Sequence, residues 1–195
     1  MAQERVIRKI ALTDIARARM GESDKPWQVA GMGVLTSNGS FLAESVSRMD
    51  GRVVTVAGQG EDLLLTVQNT SALFFQALRS RDAEALRFDR QGVFLKDGDF
   101  MEGQVISVED GRVTVDSLLL GRKTFPVGTE AVAVVLRSPV SAPDAWTLKL
   151  TDGSRLRCKE LRTGQGEVVL HGSPYRNYRV NQEQLVELQR GRAEP

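Results

Sequence analysis

Val93-Phe94-Leu95-Lys96-Asp97-Gly98-Asp99-Phe100, leading through Val105 to Asp110-Gly111-Arg112-Val113-Thr114-Val115, decides the fold. A run of strand type is broken by Asp-Gly, a dipeptide that tolerates the positive φ angles of a tight hairpin, and a second Asp-Gly follows one strand later. The pattern occurs twice more. Upstream, Val34-Leu35-Thr36-Ser37-Asn38-Gly39-Ser40-Phe41 leads to Asp50-Gly51-Arg52-Val53-Val54-Thr55-Val56. Downstream, Leu148-Lys149-Leu150-Thr151-Asp152-Gly153-Ser154-Arg155-Leu156 leads to Gly166-Glu167-Val168-Val169-Leu170. Asp97 to Gly111 and Asp152 to Gly166 each span 14 positions, and the first copy is one shorter. A repeat of this period fixes architecture before function.

Working outward, each copy extends into two further strands around a short turn. These are Leu63 to Val67 and Leu73 to Phe75, Lys123 to Val127 and Val132 to Leu136, and Tyr178 to Val180 and Leu185 to Leu188. Five short strands per unit predict a mainly β protein: three tandem, small, barrel-like or strongly bent antiparallel sheets. The expected organisation is an N-terminal arm at 1–26, unit one at 27–76, a linker at 77–91, unit two at 92–137, a proline-marked linker at 138–145, unit three at 146–191 and a tail at 192–195. Val6, Ile7, Ile10, Ala11 and Ile15 fall near helical spacing and predict a short N-terminal helix. Ala77, Leu78, Ala83, Ala85 and Leu86 predict a helical linker. Small units carry thin cores and stabilise one another side by side. The last strand of unit one, Leu73 to Phe75, is therefore expected to dock on unit two, whereas the proline linker predicts that unit three is the most independent.

The strand plan resembles the Sm-like family of small five-stranded barrels, and SH3-like barrels share much of it. The resemblance is sharpest in unit two, where Val93, Leu95, Asp97-Gly98 and Gly103 match the apolar strand, the turn and the glycine at which strand two bends. Units one and three carry Glu44 and Cys158 at that glycine position, which predicts a gentler bend. The family's RNA-contact signatures, a Met-Asn pair in strand three and an Arg-Gly pair before strand five, are missing, so that site chemistry does not carry over. The tandem units also look like repeats in large, poorly characterised bacterial multidomain proteins, some with modules assigned to carbohydrate binding. That likeness implies an accessory region of a larger assembly.

Chemistry is sparse. The 195 residues hold one histidine and one cysteine, His171 and Cys158, so a Cys/His zinc site within one chain is excluded. Cys158 reads as a buried structural thiol and His171 as a turn residue. The acids Glu61-Asp62 and Glu109-Asp110 stand at turns, where solvated carboxylates are common. No catalytic residue, metal site or cofactor is expected, and the chain reads as non-enzymatic. The formal net charge of +1 argues against a phosphate backbone as main partner. No apolar run is long enough for a membrane span, and Arg5, Arg8, Lys9 and Arg17 interrupt any signal-peptide core. The chain is thus expected in the cytoplasm if complete, and outside it if excised from an exported precursor.

One loop has the composition of a ligand site: Tyr175, Arg176, Asn177, Tyr178 and Arg179. Rings interleaved with hydrogen-bonding side chains suit glycan recognition or single-strand stacking. The leading expectation is a structural or protein-interaction module whose partner is another protein or a neighbouring domain. Carbohydrate binding through the tyrosine loop is the alternative, and Sm-like nucleic-acid binding ranks behind both. Trp27 and Trp146 each precede the first strand of a unit and are expected over a barrel end or a seam.

Overall fold

The computed structural model describes residues 17–19, 31–58, 62–78, 82, 86–140, 146–172, 174–175 and 177–190. Strand accounts for 58% of them, in three antiparallel sheets, none closed into a barrel. Strand β1 is Arg17–Arg19. Unit one supplies β2 (Gly33–Thr36), β3 (Phe41–Leu42), β4 (Val46–Met49), β5 (Val53–Val56), β6 (Leu63–Thr66) and β7 (Thr70–Phe74). Unit two supplies β8 (Gly92–Leu95), β9 (Phe100–Glu102), β10 (Gln104–Glu109), β11 (Arg112–Ser117), β12 (Gly121–Pro126) and β13 (Ala131–Val135). Unit three supplies β14 (Trp146–Leu150), β15 (Arg155–Cys158), β16 (Glu160–Gly164), β17 (Glu167–His171), β18 (Asn177–Asn181) and β19 (Leu185–Arg190).

Local chemistry places the turns where the sequence puts them. Gly39, Gly98 and Gly153, at the three first-hairpin tips, have φ of 79°, 98° and 95°. At the second turn Asp110 and Gly111 both lie in the left-handed region, as do Gln165 and Gly166, which is the geometry a two-residue hairpin turn requires. In unit one Asp-Gly sits one position earlier in a turn of the same length, which a side chain holds instead. Asp50 Oδ1 accepts from the Arg52 and Val53 N–H groups at 2.7 and 2.8 Å. Those two bonds, Val53's foremost, hold its carboxyl below the usual range.

In every unit the second strand breaks in two, at Glu44, Gly103 and Lys159. The gentler bend expected for units one and three is therefore not found. At Gly103 a Cβ would lie 2.6 Å from the Asp116 carbonyl oxygen, so that bend requires glycine. The break sends the two halves into different sheets, and strands merge across units, with no sheet closed into a barrel. One sheet runs β1-β19-β14-β15-β3-β2-β7-β13-β8-β9, a second runs β12-β11-β10-β4-β5-β6, and β16-β17-β18 is a third. Pairing with a neighbour's backbone satisfies the same edge groups that closure would.

The register shows how the units are related. Leu73 pairs with Val34 in unit one, and Val134 pairs with Val93 in unit two, so Leu73 and Val134 hold equivalent places. They face each other across the β7–β13 pairing, as expected for the docking of unit one's last strand. Met49 and Val108, also equivalent, face each other where β4 meets β10. Equivalent residues meeting at two points define a local twofold between units one and two.

Unit three is joined to unit one as well, more narrowly than unit two is. Its β15 pairs with β3 at Arg155 and Phe41, which both stand three residues past the turn dipeptide's first member. Arg157 N–H donates to Ser40 Oγ at 2.8 Å, and Ala43 N–H donates to Ser154 Oγ at 2.9 Å. Ser40 and Ser154 are equivalent, as are Ala43 and Arg157, so a second local twofold relates units one and three. The junction of unit three with unit one is thus shorter than that between units one and two.

The main core lies inside the units and includes Val34, Leu73, Val93, Val134, Leu148 and Leu156. A second core covers the outer face of β2, β7, β13 and β8, where Leu78 and Leu86 from the linker lie on Phe41, Phe74 and Phe94, with Phe88 against them. Leu78 and Leu86 thus cover a sheet, and Ala83 and Ala85 lie outside the described residues. No helix of seven residues or more occurs among the described residues, so neither expected helix is seen. The described part of the arm is strand β1, paired with the otherwise open edge of β19, and the rest of the arm, with Trp27, lies outside the described residues.

Candidate functional site

Units one and three touch through β3 and β15 and leave a cleft of about 1220 Å³ beside that contact. Strand β6 forms one wall and β18 the other. Both are last in their sheets, with no partner on the outer side among the described residues. Consecutive residues line each wall, Asp62 to Thr66 on one and Asn177 to Val180 on the other. Side chains alternate along a strand, so a run of neighbours facing one space means that the strand edge, not just one face, is turned to it. Since β6 and β18 are each the fourth strand of a unit, the cleft lies between equivalent edges.

The floor is apolar, with Leu63, Leu65, Leu150 and Val180. Leu64 on β6 is 65% exposed. Around it stand three acids, Glu44, Asp62 and Asp152. Glu44 sits at the bend of unit one's second strand. Partial burial first, and Asp152 second, push its carboxyl above the usual range. Asp152 is held by its own turn, accepting at 2.7 Å from the Ser154 N–H and at 3.1 Å from the Ser154 hydroxyl.

Of the residues singled out by sequence, Tyr175, Asn177, Tyr178 and Arg179 all line this cleft, and Arg176 lies outside the described residues. The rings do not form a flat platform. Tyr175 is 2% exposed, and its ring is tilted 33° from that of Tyr178 with centroids 5.6 Å apart. Tyr178 is half-buried, and its phenol is pushed up by burial, then by Glu44 and Asp152. Arg179 pairs with Glu167 at 3.3 Å. His171 is not in a turn: it ends β17, between Glu160 and Asn177, and its Nε2 is buried with no hydrogen-bond partner among the described residues. Cys158 is fully buried in the main core. Trp146 opens β14 with the Arg190 guanidinium 5.7 Å over its ring.

Sequence reasoning missed Glu44, Leu63 to Leu65 and Asp152, which belong to the cleft only because unit three packs on unit one. Asp152 reads as turn chemistry, and nothing local marks its second role. Among the described residues no three His, Cys, Asp or Glu side chains converge as a metal site would require. No helix among them is long and apolar enough to cross a membrane. Comparison of the chain with protein-family models, with curated proteins and with solved structures finds no match in any of the three.

Proposed function

We propose that the protein is a non-enzymatic protein-interaction module that takes an extended polypeptide segment into the cleft between units one and three. The observation that carries this reading is the pair of edge strands, β6 and β18, turned toward one space. An extended segment laid along such an edge gains main-chain hydrogen bonds, and pockets for alternate side chains add selectivity. Size supports the reading. Small-molecule sites run from roughly 300 to 1,000 Å³, and this cleft, at about 1220 Å³, is larger. The leucine floor suits apolar side chains, and Glu44, Asp62 and Asp152 suit flanking lysine or arginine. Asp152 and Arg179 are already engaged by Ser154 and Glu167, a use of polar groups that holds shape.

Carbohydrate binding is the second reading. It is favoured by the half-buried Tyr178 standing with Asn177 and Gln184 in the cleft, and weakened by the burial and tilt of Tyr175.

Selection of a random peptide library on the protein, with counter-selection on Leu64→Asp, tests the proposal. The expected outcome is sequences with two or three apolar residues flanked by Lys or Arg, whose binding shifts the amides of 62–66 and 177–180. Soluble oligosaccharides that shift the same amides, with no peptide doing so, would transfer the site to the second reading. Selected peptides that shift neither strand overturn the assignment of the cleft.

A further inference from the structure

The β11–β12 hairpin of unit two ends in Leu118-Leu119-Leu120, exposed at 104%, 93% and 60%. No other run of adjacent large apolar side chains among the described residues is so uncovered. The same connection reads Ala57-Gly58-Gln59-Gly60-Glu61-Asp62 in unit one and Gly172-Ser173-Pro174-Tyr175-Arg176 in unit three. The leucines are thus peculiar to unit two, and turn geometry does not require them. Exposed, contiguous apolar surface of this kind marks a contact. Arg122 and Lys123 follow the tip after Gly121, and both are exposed. Arg122 is 3.6 Å from Asp116 in an exposed pair, an interaction weak enough to exchange for another.

We propose that this hairpin tip docks into the cleft between units one and three of a second copy, so that the protein assembles head to tail. The inference rests on the reading of the cleft as a segment-binding site. The two surfaces are complementary in three respects. Three leucines meet the exposed Leu64 and the half-buried Leu63, over the buried Leu65 and Leu150. Arg122 and Lys123 meet Glu44, Asp62 and Asp152. Strand β12 is the outermost strand of the six-stranded sheet, so its edge continues onto β6 or β18 of the acceptor as an added strand. A lipid surface is the weaker occupant. Attraction to anionic lipid usually takes clusters of about four to eight basic residues, and this tip carries two bases beside Asp116. Donor and acceptor lie in different units, so each copy keeps one free tip and one free cleft, and the contact propagates as a ring or an open filament.

Sedimentation of three proteins tests this: wild type, a tip variant with Leu118, Leu119 and Leu120 all changed to Ser, and the cleft variant Leu64→Asp. Every changed position is exposed, and far-UV circular dichroism checks that both variants keep the fold. Wild type is expected to pass beyond dimer as concentration rises. Each variant alone should stay monomeric, with self-association weakened more than about 100-fold. An equimolar mixture should form a 1:1 complex and stop there, because the tip variant has an intact cleft and the cleft variant an intact tip. Variants that still self-associate alone, or a mixture that stays monomeric, overturn the proposal. So does a wild type that stays monomeric yet binds phosphatidylcholine–phosphatidylserine vesicles through the leucines, which reassigns the tip to membranes. If wild type stays monomeric while selected peptides still shift 62–66 and 177–180, the head-to-tail proposal fails and the cleft reading stands. If the peptides fail as well, both fall.

Discussion

Unit one meets its two neighbours in different ways. Toward unit two it offers β7, a strand buried along its whole length and paired with β13 on one side and β2 on the other, with core on both faces of the sheet. Toward unit three it offers β3, two residues long, and the pairing is one residue pair supplemented by reciprocal serine bonds. The first junction is closed and apolar. The second is short and polar, and the cleft opens beside it. Both use a local twofold, so symmetry is not the difference; the length of the shared strand and its burial are. A long dry junction leaves no concave surface, whereas a short one lets two fourth strands face each other across open space.

Unit two shows why the second junction is not simply repeated. Its β9 corresponds to β3 and β15 but has no outer partner among the described residues. Asp99 stands where units one and three have Ser40 and Ser154, and Glu102 where they have Ala43 and Arg157. Carboxylates at an open edge deter strand pairing. Arg90 pairs with Glu102 at 3.1 Å, on the protein's own surface.

The largest expected effect comes from breaking the closed junction. Phe74→Pro removes a ladder donor from a central strand, which costs about 3 kcal/mol or more, and deletes a buried ring, which costs about as much again. Together these rival the whole stability of a typical domain. Urea unfolding should show units one and two losing their cooperative transition, and amide exchange should show β8 and β13 losing protection. Unit two remaining folded with unchanged exchange would mean that the β7–β13 pairing does not carry the junction.

The open junction should yield more gently. Ser40→Ala with Ser154→Ala removes the acceptors for the Arg157 and Ala43 N–H groups. Each loss costs about 1–3 kcal/mol, because Ser40 and Ser154 are buried and the N–H groups they accept from are left unsatisfied. Exchange at Ala43 and Arg157 should quicken, and peptide affinity at the cleft should fall, with β7–β13 protection unchanged. If protection falls equally at both junctions, the two are one cooperative unit and the distinction drawn between them is wrong.

The closed junction was legible in the sequence and the open one was not. Strand periodicity and turn dipeptides place the strands of each unit, and the apolar run Leu73-Phe74-Phe75 marks the strand that docks on unit two. Its docking on unit two follows from the thinness of the cores. Nothing comparable marks β3. Ser40 and Ser154 look like ordinary residues after a turn, and their pairing depends on a relation between units 114 positions apart in the chain. A separation of 108 positions likewise hides Glu44 from Asp152. Four of the five loop residues singled out do line the cleft, but Tyr175 is buried there, since a sequence shows that a ring is present and not which side of it is covered.

The smallest expected effect probes the cleft's charge. Glu44 titrates above its ordinary range when folded, because of partial burial and then Asp152. Its favourable contribution to stability is therefore complete below the unfolded pKa, where both states are protonated, and is lost as pH rises through the folded pKa. Glutamine mimics the protonated form, so Glu44→Gln should match wild type near pH 4 and exceed it at neutral pH. The gain should be under about 1 kcal/mol, because much of the group is open to solvent screening. Thermal unfolding across that pH interval measures the difference, and a gap that does not widen from acid to neutral would separate Glu44 from the acidic cluster. The tyrosine absorbance titration adds a check. Tyr178 should still ionise above the ordinary range in the variant, since burial is the larger cause, but less far above it once Glu44's charge is gone. A basic segment in the cleft offers the same relief as the substitution. Its binding should strengthen as pH rises through the Glu44 titration in wild type, and should be flat over that range in Glu44→Gln.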